Sequence, residues 1–130
     1  MTELGFQSIL DLSYEETIAK VTGALSAEGF GILTSIDVKE TMKKKLDVDF
    51  RKYTILGVCN PPLAHKSLSA RPDVGLLLPC NVIVYEDDGK TVVNIIDPLS
   101  MTSFIQDPAL DQVASEAYQR LKRVSEAIRK

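Results

Sequence analysis

Residues 80–96, CNVIVYEDDGKTVVNII, decide the fold of this chain. Two runs rich in β-branched and aromatic residues, Cys80–Tyr85 and Thr91–Ile96, are separated by a polar connection that contains Asp88-Gly89. An Asp-Gly pair between two such runs is a strong signal for a tight β-hairpin. We therefore expect the two runs to be antiparallel neighbours in a sheet.

Strand and helix signals alternate through the rest of the chain. Three further segments have strand character, and these are Leu4–Leu12, Phe30–Ile36 and Lys52–Cys59. Four side chains are placed to cap the N-termini of helices, because Ser, Asp and Asn accept hydrogen bonds from the first free backbone N–H groups. These residues are Ser13, Asp37, Asn60 and Asp107.

The C-terminal segment has the clearest helical periodicity in the chain. Its apolar positions recur at spacings of three and four, namely Leu110, Val113, Ala117, Leu121, Val124 and Ile128. With one hairpin and few crossovers, the order of elements predicts an α+β fold, a mainly antiparallel sheet of about five strands packed on this long helix. The expected core is β-α-β4-α with two short inserted helices, in one domain over residues 1–130.

Composition narrows the function classes. The chain has 45% apolar and 25% charged residues, which is ordinary globular usage. A net charge of −3 gives no general attraction to nucleic acid or to an anionic membrane. The N-terminus lacks the pattern of a signal peptide, and no apolar run is long enough to span a bilayer. We expect a cytoplasmic protein whose two cysteines stay reduced.

Two strand segments are apolar at both odd and even positions, and this bears on assembly. They are Tyr53–Cys59 and Val82–Tyr85. A sheet with one wet face should alternate apolar and polar residues, so both faces of these strands are expected to be covered. Helices can cover one face. The other can be covered by the remaining helices, by a ligand or by a second subunit, and a homodimer is the favoured answer.

Cys59, Cys80 and His65 are the candidate catalytic residues. Cys59 directly precedes the predicted helix start, where unpaired amide groups stabilise a thiolate. His65 has an imidazole side chain, the type that most often serves as a general acid or base. The structural alternatives are two inert buried cysteines and a surface histidine. The three residues lack the close Cys-x-x-Cys pair typical of structural zinc, so neither a metal nor another cofactor is predicted.

Asn60, Asn81 and Glu86 are the candidate ligand-binding residues. Asn60 fits a helix cap, whereas Asn81 stands in an apolar strand and needs a hydrogen-bonding partner if it is buried. That partner is either a ligand or a neighbouring loop. Glu86 is either an exposed hairpin residue or a carboxylate at the rim of a site.

The run from Tyr53 to His65, YTILGVCNPPLAH, continues in PDVGLLLPCNVIVYE at residues 72–86 and in Asp97-Pro98. These residues closely resemble the bacterial and archaeal DUF 302 family of domains of unknown function. The resemblance implies a small α+β domain similar to the TATA-binding-protein-like arrangement, with dimers expected and no established activity. The residues that it marks for attention are Cys59, Asn60, Pro61, Cys80, Asn81 and Glu86.

Three hypotheses about function follow. The favoured one is a homodimeric module that binds a small ligand near Cys59-Asn60-Pro61 and Pro79-Cys80-Asn81, with an anionic ligand suggested because helix N-termini favour negative groups. The second is a thiol- or metal-dependent enzyme that uses Cys59 and Cys80, and the sequence leaves open whether the protein is an enzyme. The third is a structural or interaction protein with no ligand.

Overall fold

The computed structural model describes residues 1–103 and 105–130. Along the chain the elements are β1 (Gly5–Leu10), α1 (Tyr14–Ala27), β2 (Gly31–Asp37), α2 (Val38–Leu46), β3 (Tyr53–Cys59), α3 (Pro61–Ala70), a 3₁₀ helix (Pro72–Leu77), β4 (Cys80–Asp87), β5 (Lys90–Ile96), α4 (Pro98–Thr102) and α5 (Pro108–Ile128).

The predicted hairpin is confirmed, and its turn is tight. β4 and β5 pair in antiparallel fashion up to Asp87 and Lys90, so that only two residues connect them. Asp88 and Gly89 both have positive φ, at 50° and 77°. This is the backbone that a two-residue turn of type I′ requires, because its twist matches the twist of the flanking strands.

The five strands form one sheet in the order β1-β5-β4-β3-β2, and every neighbouring pair is antiparallel. This confirms the α+β prediction, including the β-α-β4-α core with α2 and α3 inserted between strands. The sequence did not predict the 3₁₀ helix or α4. Both are short elements without the periodicity that identifies longer helices.

The predicted N-caps are also confirmed. Each side chain accepts a hydrogen bond from a backbone N–H group in the first turn of its helix, which satisfies a donor that has no partner within the helix. The pairs are Ser13 with Glu16 (3.1 Å), Asp37 with Glu40 (2.9 Å), Asn60 with Leu63 (3.3 Å) and Asp107 with Ala109 (3.0 Å).

The core lies between one face of the sheet and the helices α1 and α5. Val21 and Leu25 of α1 and Leu121 and Val124 of α5 are fully buried. They pack in one cluster with the inward side chains of the strands, which include Leu56, Val58, Val82, Val84, Val93 and Ile95. Burial of each large aliphatic side chain stabilises the fold by about 1.5–3 kcal/mol.

In the part of the chain that the structure describes, the helices have no segment suited to crossing a bilayer. Within residues 1–103 and 105–130, none combines the length and the apolar composition that a membrane span needs.

Candidate functional site

An apolar pocket of about 290 Å³ opens at one end of the sheet. We call it the apolar pocket. Its walls come from the ends of β3 and β4, from α3, from the 3₁₀ helix and from α5. Leu63, Val74 and Leu110 contribute buried aliphatic side chains, and Ala114 and Ala117 contribute small ones. Small residues on α5 leave room for the pocket, because their side chains do not reach across to α3.

The two sequence motifs that contain cysteine meet at this pocket. Cys59 and Asn60 line it from the end of β3, and Pro79 and Cys80 line it from the start of β4. The cause is the register of the two strands, which pairs Val58 with Cys80. Cys59 follows one residue later, so its Cα lies roughly 6 Å from that of Cys80, given the ordinary spacing and rise of strands.

The side chain of Asn60 is used within the protein. Its Oδ1 accepts the N–H of Leu63 at 3.3 Å, and its Nδ2 donates to the carbonyl oxygen of Glu28 at 3.5 Å. Asn60 is buried, and it joins the N-terminus of α3 to the C-terminal end of α1. Asn60 is therefore a cap and a link between helices, and neither of its polar atoms needs a ligand as a partner.

The N-terminus of α3 does not offer the anion site expected from the sequence. Pro61 and Pro62 have no N–H group. The N–H of Leu63 is donated to the Asn60 side chain, and the N–H of Ala64 is donated to the Asn60 carbonyl oxygen at 2.9 Å. No donor of the first turn is left for an anionic ligand or for a thiolate of Cys59.

Cys80 is held in its protonated form. It is half-buried and packs against the hydrophobic core. Burial, followed by the charge that Cys59 would carry, raises the pKa of the Cys80 thiol from 9.0 to about 11. Nucleophilic thiols need the opposite shift, because the thiolate is the reactive form.

His65 and Glu86 lie away from the apolar pocket. His65 is exposed and lines a separate surface groove between α3 and α5, together with Gln112 and Glu116. Glu86 is exposed at the other end of β4, six residues beyond Cys80, which corresponds to about 20 Å along the strand. The predicted grouping of either residue with the cysteines is therefore not found. Among the described residues, no three His, Cys, Asp or Glu side chains are grouped as metal ligands would be.

Asn81 lies next to the pocket without lining it. It is exposed and pairs with Gly57 of β3. A buried amide in need of a partner was the alternative considered from the sequence, and exposure removes that need because water can satisfy the amide. The role of Asn81 in ligand binding stays a prediction.

The remaining polar side chains at the pocket also have partners within the protein. Ser67 Oγ donates to the carbonyl oxygen of Leu63 at 3.0 Å, and Thr102 Oγ1 donates to that of Pro98 at 3.4 Å. Among the described residues that line the pocket, none is charged. These residues offer hydrocarbon, the sulfur atoms of Cys59 and Cys80, and no polar side chain that lacks a partner.

Sequence reasoning missed most of the wall. Leu33 reaches the pocket from β2, where the register with β3 shifts between Ile32 and Thr34. Ala117 was assigned only to the core, and Ser67 had no assigned role. The run of leucines before Pro79 was a signal that could have been used, because Leu77 and Leu78 both line the pocket.

Comparison with known proteins gives the family. The model of a domain of unknown function, DUF302, matches residues 6–128. The chain is also similar to the crystal structure of an uncharacterized conserved protein DUF302 from Bacillus stearothermophilus. The identity is 31%, the match covers 97% of this chain and 98% of that chain, and the TM-score is 0.88. No curated protein matches the chain. The chain belongs to the DUF302 family.

Proposed function

We propose that this protein binds a small apolar molecule in the apolar pocket. One observation carries the proposal. The polar side chains of Asn60, Ser67 and Thr102 line the pocket, and each of them makes a hydrogen bond to another group of the protein. A ligand gains hydrophobic stabilisation there but finds no side-chain amide or hydroxyl waiting for a hydrogen bond. An apolar ligand therefore replaces the anionic one suggested by the sequence.

The size of the pocket limits the ligand. Cavities of about 150 Å³ with aliphatic and aromatic walls stay dry and take up benzene. Pockets for drug-sized ligands run from about 300 to 1,000 Å³. A pocket of about 290 Å³ lies between these cases. It suits a molecule with two or three aromatic rings, or a short acyl chain.

The entrance to the pocket is apolar as well. Leu33 and Leu68 both line it, and they remain 66% and 41% exposed. Exposed leucines at the mouth of a cavity let an apolar molecule pass without contacting charged groups, and exposed apolar patches of this kind often mark binding surfaces. The two thiols add polarizable sulfur to the wall, and a reducing cytoplasmic location, also part of this proposal, would keep them free.

The test is titration of the purified protein with N-phenyl-1-naphthylamine, an uncharged probe that fluoresces in apolar surroundings. Ala114→Leu places an isopropyl group in the pocket, and Ala64→Leu does so from α3. We expect each variant to bind the probe at least tenfold more weakly than the original protein. The matched control is Ala127→Leu, because Ala127 is exposed on the same helix as Ala114.

Circular dichroism and thermal melts establish that each variant is folded. Loss of probe binding in both pocket variants, with binding retained by Ala127→Leu, supports the proposal. The proposal is overturned if the original protein gives no saturable signal at micromolar probe. Equal affinity in folded Ala114→Leu and Ala64→Leu would overturn it as well, because the probe would then be bound elsewhere.

A further inference from the structure

The face of the sheet opposite the core carries its own apolar surface. We call this surface the open face, and it is defined by the outward side chains of Ile9, Ile36, Tyr53, Ile55, Ile83 and Tyr85. The strand register places these residues on one side, since Ile36 pairs with Ile55, Ile55 with Ile83, Tyr53 with Tyr85, and Ile9 lies beside Val92, the partner of Tyr85.

None of the paired positions in the three successive rows of this surface is charged, and the Arg51 guanidinium lies over the Tyr85 ring at its border, 5.8 Å from the ring centroid. The polar residues among the paired positions there are neutral, as Thr34, Gln7, Asn81 and Asn94 show. Ile9 and Ile36 are 61% and 48% exposed. The rings of Tyr53 and Tyr85 stack with centroids 5.2 Å apart. An exposed apolar surface of this extent commonly marks an interaction site.

The next row of the same face consists of charged residues. Positive and negative side chains alternate along it, from the segment before β3 through β4 and β5 to the segment after β1. Arg51 pairs with Asp87 at 3.3 Å, Asp87 is the register partner of Lys90, and Lys90 pairs with Asp11. The open face therefore has an uncharged centre and a charged rim along one border. Interfaces between proteins share this arrangement, because charges are depleted at the buried core and retained at the rim.

We propose that the open face binds the open face of a second copy of this chain. The paired positions of the three rows include no lysine or arginine, and Arg51, which lies over Tyr85, is paired with Asp87, so the face lacks the free cations that a phosphate backbone would need. An uncharged apolar surface fits another surface of the same kind. In a dimer with a two-fold axis the same surface of both subunits forms the interface, so the second copy provides the matching surface. Stacked sheets pack about 10 Å apart with interdigitating side chains, which branched isoleucines and flat tyrosine rings allow.

The area is sufficient for such a pair. Five strands about 4.8 Å apart and three rows about 6.8 Å apart outline roughly 400–500 Å². Side-chain relief adds to this flat outline, which brings each partner close to the roughly 600–800 Å² that stable interfaces bury per subunit. This proposal does not rest on the apolar pocket, because the pocket has its walls on the helix side of the sheet.

Sedimentation velocity from 1 to 100 µM tests the proposal. We expect the original protein to sediment with twice the mass of its 14.3 kDa chain. Ile9→Lys and Ile36→Lys place a charge in the interface, and each should weaken dimerisation at least a hundredfold. Leu76→Lys is the matched control, since Leu76 is 89% exposed on the helix side and its replacement should leave the dimer intact.

Tyrosine fluorescence on dilution gives a second readout, because two of the four tyrosines belong to the open face and the chain has no tryptophan. A monomer at 100 µM overturns the proposal. A dimer that survives both lysine variants, or that is lost in Leu76→Lys, overturns it too, because the subunits would then meet through another surface. Probe binding to the apolar pocket should be unchanged in Ile9→Lys and Ile36→Lys, so the two proposals fail separately.

Discussion

The buried thiol of Cys80 makes the stability of this protein depend on pH in a defined window. A rise in pKa from 9.0 to about 11 means that the folded state holds the proton more tightly than the unfolded chain. The stabilisation is fully present below pH 9 and is lost as pH rises from 9 to 11, because the unfolded state then releases the proton first. Between pH 8 and 10 this linkage removes about 1 kcal/mol from the free energy of unfolding.

The assay compares urea unfolding of the original protein and of Cys80→Ala at both pH values. The other titratable groups are common to both proteins, so the difference between the two pH dependences isolates Cys80. The alanine variant should lose about 1 kcal/mol less than the original protein between pH 8 and 10. Cys59→Ala keeps the Cys80 thiol, and it should retain most of the dependence because burial is the larger cause of the shift.

Thiol reactivity gives an independent measure of the same pKa. At pH 8 a thiol of pKa 9.0 is about one-tenth ionised, whereas one of pKa about 11 is ionised to roughly one part in a thousand. Cys80 in the Cys59→Ala variant should therefore react with a thiol reagent more slowly than the same thiol in urea, by up to about a hundredfold. A rate in the folded variant that equals the rate in urea would refute the assignment of a buried, protonated thiol and would favour the thiol-enzyme hypothesis.

Three substitutions test the local geometry by urea unfolding. Gly57→Ala should destabilise the fold by about 1–3 kcal/mol, because the added Cβ would lie 2.8 Å from Cγ of Pro79; unchanged stability would contradict this close approach. Gly23→Ala is its counterpart in an open position of α1, with nothing within 4 Å, and should stabilise by about 0.5–1 kcal/mol. Asn60→Ala should cost about 1–2 kcal/mol through loss of the α3 cap, and a cost below 0.5 kcal/mol would show that water replaces it.

The elements of the fold could be predicted because their signals are local. The Asp88-Gly89 turn, the caps at Ser13 and Asn60, and the spacing of apolar residues in α5 each depend on neighbours within a few positions. Local signals also show where a strand is apolar at both odd and even positions. They do not show which helix covers which face, since that depends on contacts between distant segments.

The candidate site shows the limit of this reasoning. The sequence singled out both cysteines and Asn60, and the structure brings these residues to one pocket through the register of β3 and β4. Their chemistry was predicted less well. Pro61 and Pro62 lack N–H groups, and Asn60 takes the next two donors, so an apparent anion site has none to offer. Whether a backbone donor is free to bind a ligand depends on the groups that lie next to it in the folded protein. The sequence does not show which groups those are.

The sequence by itself therefore determined the order of the five strands and the four longer helices, the N-caps of those helices, the hairpin and the family resemblance, because short-range propensity and periodicity carry that information. Only the tertiary structure decided that Cys59 and Cys80 share an apolar pocket, that His65 and Glu86 lie apart from it, and that the charges at one end of the sheet border an uncharged face. These features depend on register and on side-chain burial. Both are set by contacts between residues far apart in the chain. A shift of one residue in the register of a strand moves all of its side chains to the opposite face of the sheet.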